Sequence, residues 1–184
     1  MASCNKSLSV KDEMVNQELK KRTPEPSKLT NDEKTNVMMT VIDMLLKSGL
    51  PNMNLNIACG IAGNIQVESS GFNYTAIGDH GTSYGLCQWH NNRWGNLYGY
   101  CEQIGVSPNT PEGQVKFLVY ELNTDYAPVY ETISSPEYAN DIDKIATYFC
   151  KNFEIPANKD TVCPKRAQNA RNVLKKYKEI KGQP

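Results

Sequence analysis

Histidine is scarce in this sequence, and the two that occur, His80 and His90, stand in no metal-ligand spacing; His-Glu-x-x-His and Cys-x-x-Cys are both missing. No metal site and no metal cofactor are expected. Net charge is missing too, since 20 basic residues balance 20 acidic ones, and no overall field draws the chain toward nucleic acid. No apolar run approaches the length of a membrane span, and residues 1–22 lack the apolar core of a secretory signal. Neither nucleic acid nor membrane is expected as a partner, and synthesis in a cytoplasm is. Six cysteines, at positions 4, 59, 87, 101, 150 and 163, form no evident disulfide framework and read as buried free thiols. A thiolate enzyme requires a histidine beside its cysteine, and Cys59 with His80 or His90 is the only such combination.

What is present suits one compact domain. The chain has 184 residues, of which 39% are hydrophobic, enough for a single core. Residues 11–22 are charged, with Met14, Val15 and Leu19 as a narrow apolar stripe suggesting a short helix. Pro24 and Pro26 then break any helix. Residues 1–27 read as an arm and linker, and residues 28–184 as the domain. Thr30 with Glu33 forms a capping box, followed by Val37, Met38, Val41, Ile42 and Leu45 at helical spacing until Gly49 and Pro51.

The chain is organised around residues 57–89, IACGIAGNIQVESSGFNYTAIGDHGTSYGLCQW. Ile57, Ile61 and Ile65, with Ala58 and Ala62, mark a tightly packed helix, and Gly60 and Gly63 leave room for a close neighbour. Glu68 follows on the same inward face, and Ser69, Ser70 and Gly71 stop the helix. Burial raises the pKa of a carboxyl, as a general acid near neutral pH requires; the alternative is a structural glutamate paired with an arginine. Phe72 to Ile77, a Gly78–Gly81 turn and Thr82 to Tyr84 read as a hairpin. It carries Asp79 back toward Glu68, giving two carboxyl groups of unlike environment across a cleft, the working parts of most glycoside hydrolases. Asp79 can equally be an ordinary turn aspartate.

The segments GNIQVESSGFN and AIGDHGTSYGLCQWHNNR resemble the phage tail-type lysozymes and, more loosely, goose-type lysozymes and lytic transglycosylases. The Gln114 to Leu122 helix, the Phe-Glu-x-Pro of Phe153 to Pro156, Arg166 and Ala170 extend the resemblance. It implies a mainly α, α+β fold: a lysozyme-like helical domain with a small β-hairpin beside the cleft. It maps Glu68 onto the catalytic acid and Gln88 and Trp89 onto the cleft wall. Asp79 carries over less securely, because transglycosylases of this superfamily work without a second carboxylate. The implied substrate is the glycan of peptidoglycan, cut at the β-1,4 bond between N-acetylmuramic acid and N-acetylglucosamine. Partners would be glycan strands and phage tail or other virion proteins, and a wall substrate would need a pore, a virion or host lysis to bring the enzyme to it. The alternatives are a lytic transglycosylase, or a virion protein that binds wall without cutting it.

Sugars stack on aromatic faces and hydrogen-bond to amides, so Tyr74, Tyr84, Gln88 and Trp89 are the candidate glycan contacts. Arg93 begins a helix bearing Trp94, Leu97, Tyr98, Cys101 and Ile104 and closed by Gly105; it reads as either a substrate contact or a structural partner of Glu154. Thr110 and Pro111 open the next helix, with Val115, Leu118, Val119 and Leu122 inward. Ile142, Ile145, Ala146, Phe149 and Phe153 mark another. The last starts near Pro164 with Ala167, Ala170, Val173, Leu174 and Tyr177 on one side.

Overall fold

The computed structural model describes residues 25–183. The expected helix within residues 11–22 and Cys4 lie outside the described residues. Helix α1 (Asn31–Leu46) opens with the capping box: Thr30 Oγ1 accepts from the Glu33 amide, and Glu33 Oε2 accepts from the Thr30 amide at 2.7 Å. Its apolar stripe is buried at Val37, Met38, Val41, Ile42 and Leu45. Just before it, the Ser27 amide donates to Thr75 Oγ1 at 3.0 Å and the Asn73 side chain donates to the Ser27 carbonyl at 2.9 Å. The end of the linker is thereby tied to the loop that follows Glu68.

Helix α2 (Leu55–Glu68) is capped by Asn54 and buried without interruption from Ile57 to Ile65. A helix buried all round needs neighbours on several sides; these are α1, α6 (Ile142–Phe149) and α7 (Lys159–Lys181). The two glycines make this possible. A Cβ at Gly63 would lie 2.5 Å from the backbone of Ala170 on α7, and one at Gly60 would lie 2.5 Å from the Ile145 side chain on α6.

Beyond α2 the expected hairpin is present but larger. Strands β1 (Ile77–Gly78), β2 (Ser83–Tyr84) and β3 (Trp89–His90) form an antiparallel sheet in the order β1-β2-β3, with Ile77 opposite Tyr84 and Tyr84 opposite Trp89. Residues 72–76, expected to be strand, are turns and irregular chain. The third strand arises because Gly85, at φ 75°, and Gln88, at φ 46°, reverse the chain within four residues. Gln114, buried on a later helix, braces that reversal: its side-chain oxygen accepts from the Leu86 amide and its nitrogen donates to the Tyr74 carbonyl, both at 2.9 Å.

Helices α3 (Asn92–Ile104), α4 (Pro111–Asn123) and α5 (Ala127–Ile133) complete the middle of the chain. Gly105 closes α3 at φ 70°, and Thr110 caps α4 with proline in its first turn, as expected. Helix α6 does not continue through Phe153. It widens into a π-turn at Cys150–Glu154, and Ile155 takes a left-handed φ of 51°. Helix α7 begins at Lys159, ahead of the expected start near Pro164, which lies inside it. A disulfide between Cys150 and Cys163, with Cα atoms 5.4 Å apart, anchors its first turns to the π-turn. The expectation of free thiols therefore fails for this pair, because the reversal after Glu154 brings the two helix ends together. Cys59, Cys87 and Cys101 are free and buried. Among the described residues no helix is long and apolar enough to cross a membrane.

Candidate active site

The end of α2, the sheet, the start of α3 and the loop after the π-turn enclose a cavity of about 380 Å³. Glu68 and Asp79 both line it, with Ser83, Cys87, Gln88, His90 and Arg93, and with Glu154 to Ala157 closing the far side. Two carboxyl groups eleven positions apart in sequence thus share one space.

Glu68 is not the dry carboxyl expected from its helix face. Its side chain is 21% exposed, and Oε1 accepts from Arg166 Nη2 at 2.6 Å. Arg166 is buried on α7 and also donates through Nη1 to the Asn64 carbonyl at 3.1 Å. Asn64, fully buried, donates to the Gly60 and Ala146 carbonyls. The carboxylate is therefore aimed by a chain of buried polar contacts that crosses from α2 to α6 and α7. Glu68 both pairs with an arginine and lines the cavity.

Asp79 is exposed, sits at φ 47° in the turn between β1 and β2, and accepts from Ser83 Oγ at 2.6 Å through Oδ2. Ser83 Oγ is also 3.1 Å from His90 Nδ1. Gln88 lines the cavity while its side-chain nitrogen donates to the Gly85 carbonyl at 3.0 Å. Asp79, Gln88 and Ile155 are three cavity residues with left-handed backbones and no glycine among them; such conformations cost about 1–3 kcal/mol each and cluster at functional sites.

The aromatic candidates are placed differently. Trp89 is fully buried, and its Nε1 donates to Glu121 Oε2 at 2.8 Å. Tyr84 is buried against Trp94, with its hydroxyl donating to the Gly81 carbonyl. Tyr74 is half-buried, its backbone held by Gln114, away from the cavity lining. None of the three lines the cavity. Alternation on such short strands points Tyr84 and Trp89, which are directly paired, to the same core face.

Arg93 pairs with Glu121 and not with Glu154. Nε and Nη2 each donate to a separate Glu121 oxygen at 2.9 Å, a bidentate geometry. Its guanidinium also lies 4.9 Å from the Tyr126 ring centre and 4.8 Å from that of Phe153. Among the described residues no cation forms an ion pair with Glu154. Its Oε1 is buried and has no hydrogen-bond partner among the described residues. Burial, and after it the negative charge of Glu68, hold its carboxyl well above the usual glutamate range. Glu154 is the cavity residue that sequence reasoning missed as a functional group, although the Phe-Glu-x-Pro segment had flagged it.

Thiolate chemistry has no support here. Burial pushes the Cys59 thiol up to about 12 and the Cys101 thiol up to about 11, and holds Cys87 well above the ordinary thiol range. These groups stay protonated at neutral pH.

A search of curated proteins gives no match. The model of the phage tail lysozyme family matches residues 36–177, a span that runs from α1 to α7 and contains every residue lining the cavity, and the chain belongs to that family.

Proposed function

We propose that this protein is a muramidase, hydrolysing the β-1,4 bond between N-acetylmuramic acid and N-acetylglucosamine in peptidoglycan during phage infection or host lysis. The observation that carries this reading is the convergence of Glu68 and Asp79 on one cavity in a chain of lysozyme-like family. Glu68 protonates the glycosidic oxygen, and the positive charge developing at the anomeric carbon faces Asp79, which stabilises it and activates water or bonds to the carbon. The Glu68–Arg166 contact fixes the direction in which the proton is given, and geometry of that kind supplies much of a catalyst's advantage. Gln88 is the remaining glycan contact from the original four candidates, with the exposed side chain of Ile155 providing an apolar face for the sugar.

A lytic transglycosylase is the second reading, favoured by the engagement of Asp79 with Ser83. In that reaction the 6-hydroxyl of the sugar closes an anhydro ring without help from a second carboxylate. Mass spectrometry of digested wall separates the two, since each anhydro product is one water lighter. Ordinary reducing ends are expected, together with a large rate loss in Asp79→Asn at unchanged thermal stability. Anhydro ends with an active Asp79→Asn would make the enzyme a transglycosylase.

A further inference from the structure

Besides Asp79, three carboxyl groups and two guanidinium groups meet around the cavity. Arg166 is committed to Glu68, and Arg93 is committed through both donors to Glu121. Glu154 is the third carboxyl. The groups whose charges reach it are Glu68 on α2, Arg93 on α3, Glu121 on α4 and Arg166 on α7, with the neutral Cys87 thiol and the Tyr126 hydroxyl beside them. Both cations are already ion-paired, and its buried Oε1 has no hydrogen-bond partner among the described residues. A carboxyl in that position keeps its proton, as one of two neighbouring acids does when both cannot ionise together.

We propose that Glu154 is a positioning residue for Glu68: the two carboxyl groups hold one proton between them, and this shared proton is the one delivered to the glycosidic oxygen. At rest the proton sits on Glu154, and Glu68 stands as the carboxylate facing Arg166. The proton passes to Glu68 and from there to the leaving oxygen as the C–O bond breaks, the bonding electron pair staying with that oxygen. Water then bonds to the anomeric carbon, and the proton it gives up reaches the pair directly or through Asp79 and solvent, so that the site is restored. The proposal rests on Glu68 being the donor.

The sign of the pH effect follows. Losing the last proton of the pair abolishes activity, so the pair sets the alkaline limb of the rate profile, and sharing places that limb above the titration of a lone glutamate. Glu154→Gln fills the same volume but cannot hold the proton. Its alkaline limb is expected to move toward acid by about one pH unit or more, with the rate at neutral pH falling about tenfold and recovering in acid. Glu68→Gln is expected to be inactive at every pH. An unchanged profile in Glu154→Gln overturns the sharing and leaves Glu68 as donor, and a folded Glu154→Gln that is dead at every pH overturns it by moving the donor to Glu154. An active Glu68→Gln instead removes the reading on which the proposal stands. Carbon-13 NMR of the parent enzyme with carboxyl-labelled glutamate gives a test independent of whether the variant folds. One glutamate is expected to stay protonated after the others have titrated, and its late step is expected to appear at the Glu68 signal as well. Titration of Glu154 together with the bulk of the glutamates would contradict the proposal.

Discussion

Arg93 illustrates how a residue beside the cavity serves the fold. Its guanidinium lies against two aromatic rings and gives two bonds to Glu121, whose side chain is 3% exposed and also accepts from Trp89. Removing one member strands a buried charge, which typically costs about 3–5 kcal/mol. Arg93→Leu is therefore expected to lower the unfolding free energy by about that amount in a denaturant titration, and a loss below about 1 kcal/mol would show that the pair behaves like a surface salt bridge. The sequence reading anticipated a structural pairing of Arg93 but named the wrong glutamate. Glu121 lies between Leu118 and Leu122 on α4, and a reading that follows apolar periodicity passes over a charged residue in the core stripe. Trp89 and Tyr84 were misplaced for a related reason: an aromatic side chain next to a cleft motif fits a sugar face or a core equally well, and only the sheet register distinguishes the two.

The helices were legible from caps and spacing. Thr30 with Glu33, Thr110 with Pro111, and Gly105 act locally, within one turn, and each appears as the sequence implied. Glycines 60 and 63 were legible as points of close approach, though the identity of the neighbours was not, because that depends on chain reversals distant in sequence. The π-turn and the disulfide were hidden for the same reason. Cys150 and Cys163 are 13 residues apart and meet only because the chain turns back at Ile155, a β-branched residue in a left-handed conformation that no propensity would choose. The bridge fastens the turn carrying Glu154 to the helix carrying Arg166. Thiol counting in denaturant after exposure to air is expected to find two fewer thiols before reduction than after it, with the deficit mapping to Cys150 and Cys163. Equal counts would mean that the two helix ends meet without a covalent bond.

At the scale of the molecule, a central helix packed on several sides delivers one carboxylate to its end, and a three-stranded sheet brings a second back to it. The ion pairs Arg166 with Glu68 and Arg93 with Glu121 each place one member at the cavity. The position of Glu68 at the end of an uncharged helix was legible in the sequence; its partner Arg166 is 98 residues away, and pairing over that distance leaves no local trace. The central claim is that Glu68 gives the proton that breaks the glycan. The most direct measurement is the clearing of a purified peptidoglycan suspension by Glu68→Gln, run beside a thermal unfolding trace. General acid catalysis is typically worth about 10²–10⁴-fold, so the variant is expected to unfold near the parent temperature and to clear the suspension at least about a hundredfold more slowly. A folded Glu68→Gln that works at more than roughly a tenth of the parent rate would contradict the account.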